Sequence, residues 1–146
     1  VLESPQRFEI LLVEDNPGDV FLTQEAFRES RLAHRLSVVE DGEEAVRFLR
    51  RQGEHQAAPK PDLILLDLNL PRKDGREVLA EVKSDDALRH IPIIVLTTSE
   101  ADQDVRRAYK LHANCYLTKP IRMDDFLQKI KSVEDFWLGL VRLPAQ

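Results

Sequence analysis

At 146 residues the chain is the size of one domain, long enough to bury roughly 70% of its unfolded surface. Its 42% hydrophobic and 32% charged residues are ordinary for a folded globular protein, and a net charge of −5 from 21 basic and 26 acidic residues favours neither nucleic acid nor an anionic membrane as partner. The one cysteine, Cys115, excludes an internal disulfide and fits a reducing cytoplasm; no apolar stretch approaches the ~18 residues of a membrane helix, and no signal peptide is visible.

Short strand-like runs alternate with longer helix-like stretches five times, the pattern of a parallel sheet with helices on both faces. The first run, 9–14, leads into Glu14-Asp15. Asn16-Pro17 then supplies an N-cap and a proline at the first helical position, although Val20, Phe21, Leu22, Ala26 and Phe27 spread round the helix they open. A second strand is expected at 35–39 and a second helix after Asp41-Gly42, with Ala45, Phe48 and Leu49 on one face. The polar segment 51–61, which holds Pro59 and Pro61, reads as a tolerated surface insertion. Residues 63–67 form the most hydrophobic run and end on Asp67; Lys73-Asp74-Gly75 then opens a third helix with Val78 and Val82 one turn apart. A fourth strand at 93–96 runs into Thr97, and Ser99 caps a helix whose Ala101, Val105, Ala108, Tyr109 and His112 make a stripe at helical spacing. Residues 115–117 precede Thr118-Lys119. The last helix, from about 123 to 141, is longer than the sheet it covers. Its final turns offer Phe136, Trp137, Leu138 and Leu140 either to an interface or to the domain's own bottom loops.

Open α/β sheets bind ligands beyond the carboxyl ends of their strands. If the runs are neighbours, Glu14, Asp15, Asp67, Thr97 and Lys119 converge on one crevice, a set suited to a divalent cation and a phosphoryl group. Carboxylates are hard oxygen ligands that match Mg2+, and a cation relieves their mutual repulsion. Asp67, at the tip of the most hydrophobic strand, is the candidate nucleophile, able to take a phosphoryl group as an acyl phosphate. Lys119 would neutralise phosphoryl oxygens as a compact point charge, and Thr97 would donate a hydrogen bond. Each residue has an ordinary alternative: Glu14-Asp15 suit a helix N-terminus, Thr97 a strand end, and Lys119 solvent. Their joint occurrence at four strand ends is what chance does not supply. Asp67-Leu68-Asn69 is not a calcium loop, because Val78 stands where the bidentate glutamate belongs. There is no Gly-rich phosphate loop and no zinc-type spacing, and His34, His55, His90 and His112 scatter without ligand spacing.

The motifs Leu12-Val13-Glu14-Asp15-Asn16, Asp67-Leu68-Asn69-Leu70-Pro71 with Asp74-Gly75, Leu96-Thr97 and Tyr116-Leu117-Thr118-Lys119-Pro120 closely resemble those of the receiver domains of two-component response regulators. The resemblance covers nearly the whole chain. It implies a flavodoxin-like, doubly wound (βα)5 α/β fold with a five-stranded parallel sheet in order 2-1-3-4-5 and an extended C-terminal helix. Residues 1–146 would form a single receiver domain, with a core at about 8–135 and an apolar extension at about 136–146. It further implies phosphoryl transfer from a sensor histidine kinase to Asp67, with Mg2+ held by Glu14, Asp15, Asp67 and the backbone carbonyl of Asn69. Thr97 and Tyr116 would form the switch, the hydroxyl turning to the phosphoryl group and the aromatic ring turning inward. Lys119-Pro120 is expected to be cis. Such domains are phosphoacceptors rather than enzymes with a separate turnover substrate. The 51–61 segment and the aromatic tail resemble the small regulators that serve bacterial, especially cyanobacterial, phytochromes. That likeness implies a light-sensing kinase upstream and a homodimer supported by Phe136, Trp137 and Leu138. With no output domain following, the chain reads as a stand-alone receiver or one cut from a longer protein. Two other classes compete. A phosphate-independent interaction module would keep the fold, but the complete residue set argues against it. An Mg2+-dependent phosphatase would want an aspartate where Asn69 stands.

Overall fold

Five apolar runs pair as parallel strands in the order β2-β1-β3-β4-β5, as the alternation of the sequence leads one to expect. The strands are β1 (Phe8–Val13), β2 (His34–Val39), β3 (Leu63–Asp67), β4 (Ile93–Thr97) and β5 (Cys115–Thr118). The helices are α1 (Pro17–Glu29), α2 (Gly42–Arg50), α3 (Gly75–Ser84) and α4 (Met123–Lys131). This computed structural model describes residues 8–30, 33–97, 115–119 and 121–131. The helix expected after Ser99, the Lys119-Pro120 peptide and the tail with Phe136, Trp137 and Leu138 lie outside the described residues.

Every residue of β3 is buried, which is why its sequence shows no polar alternation. Successive side chains instead feed two cores. Leu11, Val13, Ile64, Leu66, Ile93 and Val95 pack on the face covered by α2 and α3, against Phe48, Val78, Leu79 and Val82. Ile10, Leu12, Leu63, Leu65, Ile94 and Leu96 pack on the face covered by α1 and α4. There Phe27 and Phe126 meet edge to face, with centroids 5.0 Å apart. Each of these fully buried aliphatic side chains contributes about 1.5–3 kcal/mol, so the sheet is a rigid platform for whatever its ends carry.

The helix starts follow the expected chemistry. Asn16 Oδ1 accepts from the Asp19 N–H at 3.1 Å, with Pro17 at the first helical position. Asp41 caps α2 and Asp74 caps α3 by the same device. The untidy apolar pattern of α1 has a simple outcome: Thr23 and Phe27 are buried, whereas Phe21 and Leu22 are exposed. Segment 51–61 is more closely fitted than a surface insertion needs to be. Arg51 adopts a left-handed conformation that reverses the chain, a 3-10 turn follows at Gly53–His55, and Ala58 joins the α2–α3 core.

Gly75 links the platform to its working end. A Cβ there would meet the Asp67 carbonyl oxygen at 2.3 Å and the Leu68 Cα at 2.6 Å. Only glycine lets the start of α3 fold back against the tip of β3, and the Gly75 N–H donates to the Leu68 carbonyl at 3.0 Å. No described helix is long and apolar enough to cross a membrane.

Candidate functional site

Strand register brings the polar ends together. Val13 pairs with Leu66, so Glu14 and Asp67 emerge side by side from the sheet. Asp67 lies opposite Leu96, which puts Thr97 one residue further out; Thr97 lies opposite Thr118, which puts Lys119 just beyond. A one-residue slip in any pair would send its end residue to the wrong level or face.

Lys119 is the centre of the arrangement. Its ammonium contacts Glu14 Oε1, lies 3.0 Å from Asp67 Oδ2 and lies 3.1 Å from Asp19 Oδ2. The Glu14 residue is 1% exposed and the Lys119 side chain 8%, so this ion cluster is largely out of water. Backbone donors complete it: the Asn69 N–H reaches Asp67 Oδ1 at 3.0 Å, and the Asn16 N–H reaches Glu14 Oε2 at 3.1 Å. Burial pushes the Glu14 carboxyl from its ordinary 4.5 up to about 7, against the pull of Lys119 and the Asn16 N–H. Burial acts on Lys119 too and favours the neutral amine. The Glu14 and Asp67 carboxylates overcome it and hold the ammonium above its ordinary value.

Asp15 is exposed at the mouth, and one oxygen from each of Glu14, Asp15 and Asp67 lies within 4.8 Å of the others. Glu14 Oε1 is buried without a well-aligned hydrogen bond; the ion pair with Lys119 alone compensates it. A half-compensated hard oxygen beside two more carboxylates is a donor set whose chemistry fits a hard divalent cation such as Mg2+. Tyr116 is partly buried against the α2–α3 core, while the Thr97 side chain lies outside the described residues.

Two features escape the sequence. Asp19 touches Lys119 across 100 positions of chain, and only its distance from Asp15, one helical turn, hints at it. His55 sits between Glu44 and Glu54, with Nε2 at 3.3 and 3.4 Å from their oxygens, although no histidine shows ligand spacing in the sequence. The turn at Gly53–His55 makes that meeting, and the His55 ring rests on Phe48 with centroids 5.3 Å apart.

Residues 10–131 match the response regulator receiver domain family. Response regulator Rcp1 of Synechocystis sp. is 52% identical over 136 residues, 93% of this chain and 92% of the relative. The crystal structure of the phosphorylated cyanobacterial phytochrome response regulator RcpA has a TM-score of 0.76 at 51% identity, covering 91% of this chain and 95% of that one. The Mn2+-bound form of Rcp1 has a TM-score of 0.74 at 51% identity, covering 89% and 94%. Sheet order, the acidic crevice with its buried lysine, and these matches agree: the chain belongs to the response regulator receiver domain family.

Proposed function

We propose that this chain is a phosphorylatable signalling switch, and that Asp67 accepts a phosphoryl group from the phosphohistidine of a sensor histidine kinase. The observation that carries the reading is the meeting of Glu14, Asp67 and Lys119 in one crevice largely shielded from water. An oxygen of Asp67 forms the new P–O bond as the kinase's P–N bond breaks, and the imidazole leaves with the electron pair. Lys119 moves onto the phosphoryl oxygens, where its point charge is worth more than in water. The Asn69 N–H keeps the acceptor carboxylate oriented at 3.0 Å. Glu14, Asp15, Asp67 and the Asn69 backbone carbonyl would hold Mg2+, which when bound supplies charge neutralisation at the phosphoryl group. Thr97 and Tyr116 then carry the change outward as the switch pair. The chain acts as a phosphoacceptor with no separate turnover substrate.

The partner is a phytochrome-type histidine kinase, supported by the likeness to the cyanobacterial regulators Rcp1 and RcpA. The protein works in the cytoplasm as a single receiver domain over 1–146. It forms a homodimer through Phe136, Trp137 and Leu138, and Trp137→Ala lowers the mass seen by light scattering. Neither nucleic acid nor a membrane is part of the scheme. The test is transfer of labelled phosphate from an autophosphorylated cyanobacterial phytochrome kinase. Transfer that disappears in Asp67→Asn supports both acceptor and partner. Labelling by acetyl phosphate but by no phytochrome kinase would retain the acceptor and remove the partner. A chain that takes no phosphate from either source, while still folded, would support the phosphate-independent module instead.

A further inference from the structure

The Lys119 ammonium faces three carboxylates, donating hydrogen bonds to Asp19 and Asp67 and forming an ion pair with Glu14. Two of them, Glu14 and Asp67, belong to the acceptor and its cation set. The third, Asp19, belongs to neither. It stands in the first turn of α1, and its backbone is held at both ends. Its N–H donates to Asn16 Oδ1 at 3.1 Å, and its carbonyl accepts from Thr23 Oγ1 at 2.8 Å. The Thr23 anchor is itself buried, so the Asp19 carboxylate approaches Lys119 from a fixed base. Its side chain is 27% exposed against 8% for Lys119, which places it between the ammonium and solvent, on the rim of the crevice.

We propose that Asp19 is a positioning residue that tethers Lys119 toward α1 and so sets how readily the crevice accepts a phosphoryl group. This rests on the phosphoacceptor reading above. A divalent cation on Glu14 and Asp67 relieves their demand for the ammonium, whereas Asp19 stays off the cation and keeps its full charge. Its share of Lys119 therefore grows at the moment the phosphoryl oxygens need that ammonium. The same charge also faces an incoming dianion. Both effects make loading harder, and both are released by Asp19→Asn, which keeps the shape and loses the charge. Without beryllofluoride the effect on the cation has the opposite sign. A freed Lys119 falls back on Glu14 and Asp67 and competes with Mg2+, and the site has lost one negative charge.

The test uses the full chain with Mg2+ and beryllofluoride, a phosphoryl mimic, read by 19F NMR, together with Mg2+ affinity by calorimetry. Asp19→Asn should bind beryllofluoride about two- to fivefold tighter, and Mg2+ alone about twofold weaker, the scale of one partly exposed ion pair. Asp19→Glu should restore both values. In a Lys119→Ala background, kept folded by saturating Mg2+, Asp19→Asn should lose the part of its effect on beryllofluoride that runs through Lys119 and keep only the smaller part due to direct charge repulsion. Asp19→Ser serves if the asparagine variant does not fold. Wild-type binding with both affinities unmoved in the variant, or an equal shift without Lys119, would overturn the tether and leave the phosphoacceptor reading standing. A wild-type chain that binds no beryllofluoride at all would remove that reading, and the tether with it.

Discussion

The described residues hold two groups of metal-competent side chains, and they behave in opposite ways. Glu14, Asp15 and Asp67 gather at the sheet's carboxyl end, whereas Glu44, Glu54 and His55 gather where α2 meets the 51–61 segment. In the first, burial drives the Glu14 carboxyl up to about 7. In the second, the exposed Glu54 carboxyl is held below its ordinary value, first by a hydrogen bond from its own backbone and then by Arg47 and His55. The first group is built around a buried lysine; the second is laced with half-exposed ion pairs such as Arg47–Glu54 at 3.6 Å. Composition is similar and environment decides. In the first group the charges share one lysine and are kept from water, which shifts the Glu14 carboxyl upward; in the second the ion pairs are partly solvated and the Glu54 carboxyl stays low.

The sharpest way to break this contrast is to remove the proposed acceptor. Asp67→Asn should abolish phosphorylation by acetyl phosphate, whereas Glu44→Gln should leave its rate within about twofold, since that carboxylate serves a surface ion pair. A next test removes the counter-ion. Lys119→Ala leaves Glu14 and Asp67 buried without their cation and should cost about 3–5 kcal/mol in urea unfolding without metal. Added Mg2+ should recover part of that loss, and should recover little in the wild type by comparison.

The third effect is a pH slope. The folded-state value of Glu14 lies above its unfolded value, so the native state holds a proton that the unfolded chain has released. Its contribution is therefore full below about 4.5 and is lost as pH rises through about 7, a change on the order of 3 kcal/mol in metal-free protein. Glu14→Gln should flatten that slope between those two pH values. Because a cation needs the ionised carboxylate, Mg2+ affinity should rise over the same interval. The smallest effect belongs to the second group: Glu44→Gln should shift stability by less than about 1 kcal/mol at any pH between 5 and 8.

Much of the crevice is legible in the sequence because a buried parallel strand cannot hide where it stops. The apolar runs ending at Val13, Leu66, Leu96 and Leu117 mark the sheet's upper edge, and each is followed within two residues by Glu14, Asp67, Thr97 or Lys119. The cap at Asn16 and the helix starts after Asp41 and Asp74 are equally plain, since each rests on local chemistry. What is not legible depends on chain reversal or on one side chain's reach. Asp19 looks like an ordinary first-turn acid favoured by the helix dipole, and nothing local tells that role from contact with Lys119. His55 meets Glu44 because Arg51 turns left-handed, a conformation that an arginine does not advertise. The fit of Gly75 against Asp67 is likewise visible only once the β3–α3 turn is closed.

The most direct measurement is the intact mass of the chain after incubation with Mg2+ and acetyl phosphate, beside Asp67→Asn and a sample stripped of metal. The expected result is one added phosphoryl group in the wild type, none in the variant and none without metal. An unchanged wild-type mass, in protein that is folded, binds Mg2+ and forms no beryllofluoride complex, would contradict the assignment of Asp67 as the phosphoacceptor.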